Sequence, residues 1–423
     1  MGGLVDDLEF RGLWHQEAGT GLPARLAGPP VTAYIGFDPT ADSLHVGSLL
    51  QLCLLRRLQL AGHRPIAVAG GGTGMIGDPG GKSEERPLLD DEHLRANLAG
   101  IRDQLARFVD LSDGRALLVD NGAWLRDLSL VTFLRDIGKH FTVNDMARKE
   151  SVRARLQRPD QGISYTEFSY MLLQAYDFLH LYDEHGCELQ LGGSDQYGNI
   201  TMGVELVRKM RGAEVHGLTS PLVVKSDGTK FGKTEQGTVW LDPRRTSPFG
   251  FYQFFVRSED AVVGSYLRFF TFLEHEEILE LDQATAEHPE ERRAQRALAR
   301  AVCTVVHGEA ETARAEQAAA ALYSEEIAGL DEQTLLEVCA EAPSTAIGRG
   351  ELEFGLPVVD VLVRSGLVGS KRQARTTVEQ GGAYLNNRRV ADSEAVVRPD
   401  DLLFGRYVVL RRGRRDYHLV RFE

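Results

Sequence analysis

The sequence predicts an α/β protein: a doubly wound parallel sheet, followed by an all-α segment and a small basic α+β module. Three observations carry this. Short β-rich runs alternate with helix-period segments up to about residue 225. From about 246 to 340 the pattern turns purely helical and rich in Ala, Glu and Arg. From Phe354 to Glu423 there are 13 Lys and Arg against 8 Asp and Glu, so the tail carries +5 and the remainder −18. The formal net charge of −13 therefore conceals a basic module suited to nucleic acid.

A chain of 423 residues exceeds what one compact domain usually spans, so two or three are expected. Its hydrophobic share of 43% supplies ample core, yet no run approaches the ~18 apolar residues of a membrane span. MGGLVDDLEFRG lacks the basic and apolar regions of a secretory signal. Met-Gly-Gly is a poor myristoylation start, because Asp6 stands where that motif wants Ser or Thr. Cys53, Cys187, Cys303 and Cys339 are far apart and form no CxxC pair. Reduced core thiols are expected, rather than a disulfide framework or a metal site. A cytoplasmic enzyme with no membrane partner follows.

Taken in order, VTAYIG (31–36), PIAVAG (65–70), ALLVD (116–120), ELQLG (188–192) and LVV (222–224) are the strand candidates. Helical periodicity covers 44–61, 94–108, roughly 129–148, 166–182 and 195–211. The first of these should bury Leu44, Leu49, Leu52, Cys53, Leu55 and Leu60 and stop near Gly62, with Asp42 or Ser43 as its cap. The charged, irregular stretch 128–165 reads as an insertion or an interface. EAPSTAIGRGELEFG (341–355) reads as a linker. Beyond it come a short helix (357–365), a turn from Gly366 to Ser370, a basic helix (371–380) and β-rich pieces from 383.

Two runs carry the chemistry. PTADSLHVGS (39–48) delivers His45 and Gly47 to the first turn of a helix, where free N–H groups and the positive dipole end meet anions. KFGKT (230–234) lies between Gly228 and Gly237 and offers Lys230 and Lys233 as cations. Together they suit a nucleotide triphosphate held at a helix N-terminus. Each alone has a plainer reading, because a lone first-turn histidine is usually structural and a two-lysine loop is usually solvated.

Gly72 to Gly77 matches GxGxxG after a strand, but Asp78-Pro79-Gly80-Gly81 breaks the helix that a dinucleotide fingerprint needs. A nicotinamide enzyme is set aside, and Lys82 and Arg86 read as further cations for phosphate. Tyr170, Gln174 and Asp177 share one face of the 166–182 helix, where they meet either a polar ligand or partners within the protein. Gln190 to Gln196 sits at the carboxyl end of a strand, where ligands of open α/β sheets gather. Asp195 there holds a ribose hydroxyl or caps a helix.

Over essentially the whole chain these residues resemble the class I aminoacyl-tRNA synthetases, and within them the bacterial tyrosyl-tRNA synthetases. PTADSLHVGS is similar to the family's HIGH signature and KFGKT to its KMSKS loop. YIGFDPTADSLH, GDPGGK, YMLLQAYD and QLGGSDQYGN resemble the tyrosine branch rather than its tryptophan relative. DVLVRSGLVGSKRQARTTVEQGGAYLNN resembles an S4-type RNA-binding module.

The resemblance implies a Rossmann-like catalytic domain over 1–225, with 128–165 inserted at a dimer interface. It implies a helical anticodon-side domain carrying the KMSKS-like loop over 226–345, and an S4-like domain over 352–423. The implied activity joins L-tyrosine to tRNA(Tyr) with ATP, accompanied by Mg²⁺ and without a dedicated metal site, in a homodimer. Tyr34 and Asp177 would meet the phenolic hydroxyl, and Asp78, Tyr170 and Gln174 the amino group. Gln190 and Gln196 would line the same pocket. Gly36, Asp38, Gly47, Ser48 and Asp195 would position the nucleotide. Thr40 and His45 would contact the triphosphate, with Lys82, Arg86, Lys230 and Lys233 closing over it. Lys371, Arg372, Arg375, Arg388 and Arg389 would meet RNA.

Two positions depart from the family pattern. Ser48 stands where the signature often has a second histidine, so its ribose contact would be shorter or water-bridged. Ile35 lacks the side-chain hydrogen bond that some members supply. Two rival readings explain less. A nucleotidyl-transferring enzyme that never charges tRNA leaves the basic tail without a role. A noncatalytic RNA-binding protein leaves His45, Lys230, Lys233 and the tyrosine pocket without one.

Overall fold

The computed structural model describes residues 3–78, 91–156, 162–229, 231–234, 237–321, 325–340, 342–353, 355–413 and 416–423. The chain forms two compact units, 1–246 with 257–306 and 247–256 with 307–423. The helices from 246 to 340, which the sequence groups together, divide between them.

In the first unit six strands make one sheet: β1 (Gln16–Ala18), β2 (Thr32–Phe37), β3 (Arg64–Ala69), β4 (Leu117–Asp120), β5 (Cys187–Gly193) and β6 (His216–Ser220). Their order is β1-β6-β5-β2-β3-β4, and every pair is parallel except β1 with β6. The winding reverses between β2 and β5, and a doubly wound sheet opens its ligand crevice at the carboxyl ends of such neighbours. Tyr34 and Gln190 are register partners across that pair. One expectation fails here. The sixth strand is HGLTS (216–220), buried throughout between β1 and β5, whereas LVV lies beyond it with Leu222 and Val224 exposed.

Five helices matter to the site: α1 (Leu49–Leu60), α2 (Asp91–Phe108), α3 (Tyr165–His185), α4 (Tyr197–Arg211) and α5 (Asp260–Phe270). The first starts later than its pattern suggests. Val46–Ser48 is a 3-10 turn, and His45 caps it in place of Asp42 or Ser43, its Nδ1 accepting from Gly47 N at 3.0 Å. Leu60, expected inside, is exposed. Both ends of α3 are capped: Ser164 accepts from Glu167 N, and Gly186 at φ 61° closes the last turn. Its apolar face, including Met171, Ala175 and Phe178, joins Tyr34, Met202 and Leu206 in one core.

Between β4 and α3 the chain makes short helical turns, from Leu130–Thr132 to Glu150–Leu156, in place of one 129–148 helix. Phe133, Ile137, Met146 and Val152 enter the core, while Leu130, Val131, Leu134 and Val143 are exposed.

The second unit holds helices Pro248–Val256, Glu309–Ala321 and Glu332–Val338 and a five-stranded sheet. In that sheet Ser344–Ile347 runs parallel to Asp416–Phe422, so the expected linker contributes a strand. Leu385 pairs with Arg388 across a two-residue turn. Asn386 (φ 48°) and Asn387 (φ 61°) take the left-handed conformations that such a hairpin needs.

Candidate active site

A cleft of about 460 Å³ opens at the carboxyl ends of β2 and β5. All seven residues expected around tyrosine line it: Tyr34, Asp78, Tyr170, Gln174, Asp177, Gln190 and Gln196. So do Gly36, Asp38, Thr40, His45, Gly47, Ser48 and Asp195, expected around ATP, together with Ile35. Lys82, Arg86 and Lys230 lie outside the described residues, and Lys233 is described only as backbone, in a two-residue strand paired with Gly237–Thr238.

The floor of the cleft is polar and buried. Asp177 accepts from Asn121 Nδ2 at 2.9 Å and from Trp124 Nε1 at 2.7 Å. Burial outweighs both bonds and raises its carboxyl to about 7. Burial first, and then the charge of Asp177, push the Tyr34 phenol well above its ordinary range. The Tyr34 hydroxyl and Gln190 Oε1 are buried without a hydrogen-bond partner among the described residues. Such a group costs about 1–3 kcal/mol, which a ligand hydroxyl reaching this floor would offset. Phe178 meets the Tyr34 ring edge-on at 5.4 Å and holds its orientation.

Polar side chains on the wall are bonded to one another as well as facing the cleft. Tyr170 Oη donates to Asp38 Oδ2 at 3.1 Å, and Thr73 Oγ1 to Asp38 Oδ1 at 2.9 Å. Gln196 Nε2 donates to Asp78 Oδ2 at 2.6 Å, and its Oε1 accepts from Gln174 Nε2 at 3.3 Å. The α3 face thus has both kinds of partner that its spacing allows. Asp195 folds its carboxylate over Gly193, where a Cβ would come within 2.6 Å of Oδ1.

At the mouth the two signature runs touch. A Cβ at Gly47 would lie 2.7 Å from the imidazole Cε1, so a larger residue there would displace the His45 ring from its capping position. The ring gives this glycine a second reason beside the nucleotide approach that the resemblance implies. With Nδ1 accepting, the neutral imidazole carries its proton on Nε2 and is a donor there. Gly232, at φ 84°, packs on Val46, and a Cβ would fall 2.6 Å from Val46 Cγ2. Just after the loop, Val46 N donates to Val239 O at 3.0 Å and Leu241 N to Leu44 O at 2.9 Å. Ser43 Oγ accepts from Gln104 Nε2 at 3.0 Å and Asp242 N at 3.2 Å, tying α2 into the same junction.

Sequence reasoning missed Asn121, Trp124, Thr73 and Gln104. Asn121 directly follows β4, so the strand-end rule could have found it. Trp124 and Gln104 carry no comparable signal.

In the second unit, Lys371, Arg372 and Arg375 are exposed on the helix Lys371–Glu379, capped by Ser370, and Arg388 and Arg389 are exposed beside the Asn386–Asn387 turn. Lys371 Nζ pairs with Asp360 Oδ1 at 2.7 Å. Arg411 lies 3.7 Å over the Tyr384 ring.

Residues 27–324 match the family model described as tRNA synthetases class I (W and Y). Residues 336–420 match the Tyrosine–tRNA ligase SYY-like C-terminal domain. The chain is 53% identical over 421 residues to a tyrosine–tRNA ligase of Roseiflexus castenholzii, covering 99% of each chain. It is 51% identical over 422 residues to one of Opitutus terrae, again covering 99% of each. Among solved structures, a C-terminally truncated mitochondrial tyrosyl-tRNA synthetase of Aspergillus nidulans aligns with TM-score 0.69 and 32% identity, covering 76% of this chain and 95% of that one.

Proposed function

The chain belongs to the class I tRNA synthetases of the tryptophan and tyrosine group, and from that premise we propose how its residues divide the work of tyrosine–tRNA ligation. It is an ATP-dependent aminoacyl-tRNA synthetase acting on tyrosine and its tRNA. In the first step the tyrosine carboxylate attacks the α-phosphorus of ATP, and the bond to the leaving pyrophosphate breaks. That carboxylate is already ionised at neutral pH, so no general base is needed. Rate enhancement comes from alignment and from charge stabilisation on the pyrophosphate.

Tyrosine lies with its phenol on Tyr34 and Asp177 and its amino group toward Asp78, Tyr170 and Gln174. Gly36, Asp38, Gly47, Ser48 and Asp195 position the nucleotide. His45 Nε2–H and Thr40 donate to the phosphates, and Lys82, Arg86, Lys230 and Lys233 supply the cations. In the second step the terminal ribose hydroxyl of tRNA takes the tyrosyl group and AMP leaves, with Lys371, Arg372, Arg375, Arg388 and Arg389 on the RNA. Among the described residues no group of three or more His, Cys, Asp or Glu is placed to hold a metal ion, and Mg²⁺ enters as part of the ATP complex.

One observation carries the substrate reading. The Tyr34 hydroxyl is buried without a partner among the described residues, beside a carboxyl held in place by Asn121 and Trp124. This is a socket for a hydroxyl, which phenylalanine would leave unpaired. Tyrosine-dependent exchange of pyrophosphate into ATP, followed by charging of tRNA(Tyr), tests the whole assignment. Exchange indifferent to tyrosine, or exchange without charging, would overturn it.

Assembly and compartment are further parts of the proposal. Exposed Leu130, Val131, Leu134 and Val143 support a homodimer through the 128–165 stretch. Light scattering should return twice the chain mass of 46.8 kDa, and a monomer mass would remove the interface. The four cysteines, all buried in the core, support a reducing compartment, the cytoplasm. No helix among the described residues is long and apolar enough to cross a membrane.

A further inference from the structure

We propose that Phe231 is a positioning residue for tyrosine activation: its ring, seated in an aromatic socket on α5, sets where the backbone of Gly232 and Lys233 meets the His45 turn. The inference rests on the phosphate role assigned above to Lys233 and His45.

Phe231 is 4% exposed. Its ring lies 4.9 Å from Tyr266, edge-on at 63°, and 5.2 Å from Phe270, stacked at 19°. Tyr266 and Phe270 are four residues apart on α5 and so present one face to it. The same tyrosine holds the approach to the loop, for its hydroxyl donates to Val224 O at 2.8 Å. Burial pushes that phenol up to about 12, so it remains a donor at neutral pH. Phe231 N meets Val223 O at 3.4 Å, which folds the intervening turn back on itself.

The socket is braced against the helix that the His45 turn leads into. Arg57 of α1 donates to Thr271 O, just past the end of α5, and Arg11 donates to Arg268 O and Thr271 O at 3.3 and 3.2 Å. On the far side of Phe231, Gly232 packs on Val46 and its carbonyl accepts from Val239 N at 3.2 Å. Phe231 therefore stands between two anchors, one on α5 and one on the His45 turn. Phe231 and Gly232 line the same cleft, but the residues proposed to hold tyrosine come from other segments: β2, β5 and α3, with Asp78 beyond β3 and Gln196 ahead of α4. Displacing Phe231 should misplace the loop while leaving tyrosine binding intact.

The test compares Phe231→Leu, Tyr266→Phe and Lys233→Ala by single-turnover adenylate formation and by equilibrium binding of tyrosine. Phe231→Leu keeps apolar volume and loses the ring contacts, so adenylate formation should slow about two- to ten-fold with the tyrosine Kd preserved. Tyr266→Phe keeps the ring and loses one hydrogen bond, so it should slow the step less. With Tyr266→Leu measured alone as well, its combination with Phe231→Leu should slow the step by less than the product of those two single effects. If Lys233→Ala slows the step and Phe231→Leu does not, the positioning role is wrong. Equal losses of rate and tyrosine affinity in Phe231→Leu would also overturn it, since they mark general loosening. An undiminished rate in Lys233→Ala would instead overturn the phosphate reading beneath it.

Discussion

The Tyr34 ring meets Phe178 edge-on, and its buried hydroxyl, with no partner among the described residues, makes the unliganded fold less stable than an apolar ring would. Tyr34→Phe should leave unfolding free energy unchanged or raise it by up to about 1 kcal/mol, and weaken tyrosine binding by about 0.5–1.5 kcal/mol. Denaturant melts and equilibrium dialysis measure the two, and a clearly destabilised variant would contradict the orphan hydroxyl. Asp177 adds a pH dependence. Its carboxyl titrates near 7 in the fold against 3.8 ordinarily, so between those values the native state keeps a proton that the unfolded chain has lost. Its contribution to stability therefore falls as pH rises through that window. Under the proposed placement of tyrosine its affinity runs the other way, because the phenol would donate to the ionised carboxylate. Calorimetric titrations should show tightening from about pH 6 to about pH 8, flattened in Asp177→Asn. An identical profile in the variant would assign the proton elsewhere. The sequence displays Tyr34 and Asp177 through strand ends and helix spacing. It does not display Trp124, because an indole N–H aimed at a carboxylate leaves no periodic trace.

Among the elements, the contact between the 44–48 turn and the KFGKT loop organises the mouth. Gly232→Ala forces φ 84° on a side chain and drives a Cβ into Val46. Adenylate formation should fall about tenfold or more while tyrosine affinity holds. Adding Val46→Ala removes the clashing methyl and should restore part of the rate. A double variant no faster than Gly232→Ala would place the defect elsewhere, in the backbone strain alone. Strands β2, β3 and β5 are legible in sequence because a parallel strand covered on both faces needs an apolar run, and β4, half-buried at the sheet edge, keeps such a run as well. The strand His216–Ser220 hides because all its residues but Leu218 are polar or small, yet lie between two neighbours, while the more apolar LVV is left outside. The strand Ser344–Ile347 hides for another reason: four residues rich in small side chains read as linker, and only the register with Asp416–Phe422 reveals pairing. His45 as cap is equally illegible, since capping patterns favour Ser or Asp and both precede it.

Over the whole molecule, an acidic body and a basic tail would take separate binding tasks under the proposed function. Truncation ahead of residue 343 should leave tyrosine-dependent pyrophosphate exchange working and lower tRNA charging by at least about tenfold, with the loss easing at low salt. Normal charging by the shortened chain would remove the tail's role. The cut belongs there and not at 352, because a later one would strip Ser344–Ile347 of its partner strand. Unit boundaries were the least legible feature, since periodicity marks helices but not which core they join. The most direct test of the account is a crystal structure of the full chain with a non-hydrolysable tyrosyl-adenylate. The phenol should lie within hydrogen-bond distance of Tyr34 and Asp177, and the phosphate beside His45 with the Lys233 backbone at the cleft mouth. A phenol bonded elsewhere, or a phosphate out of reach of both His45 and Lys233, would contradict the account.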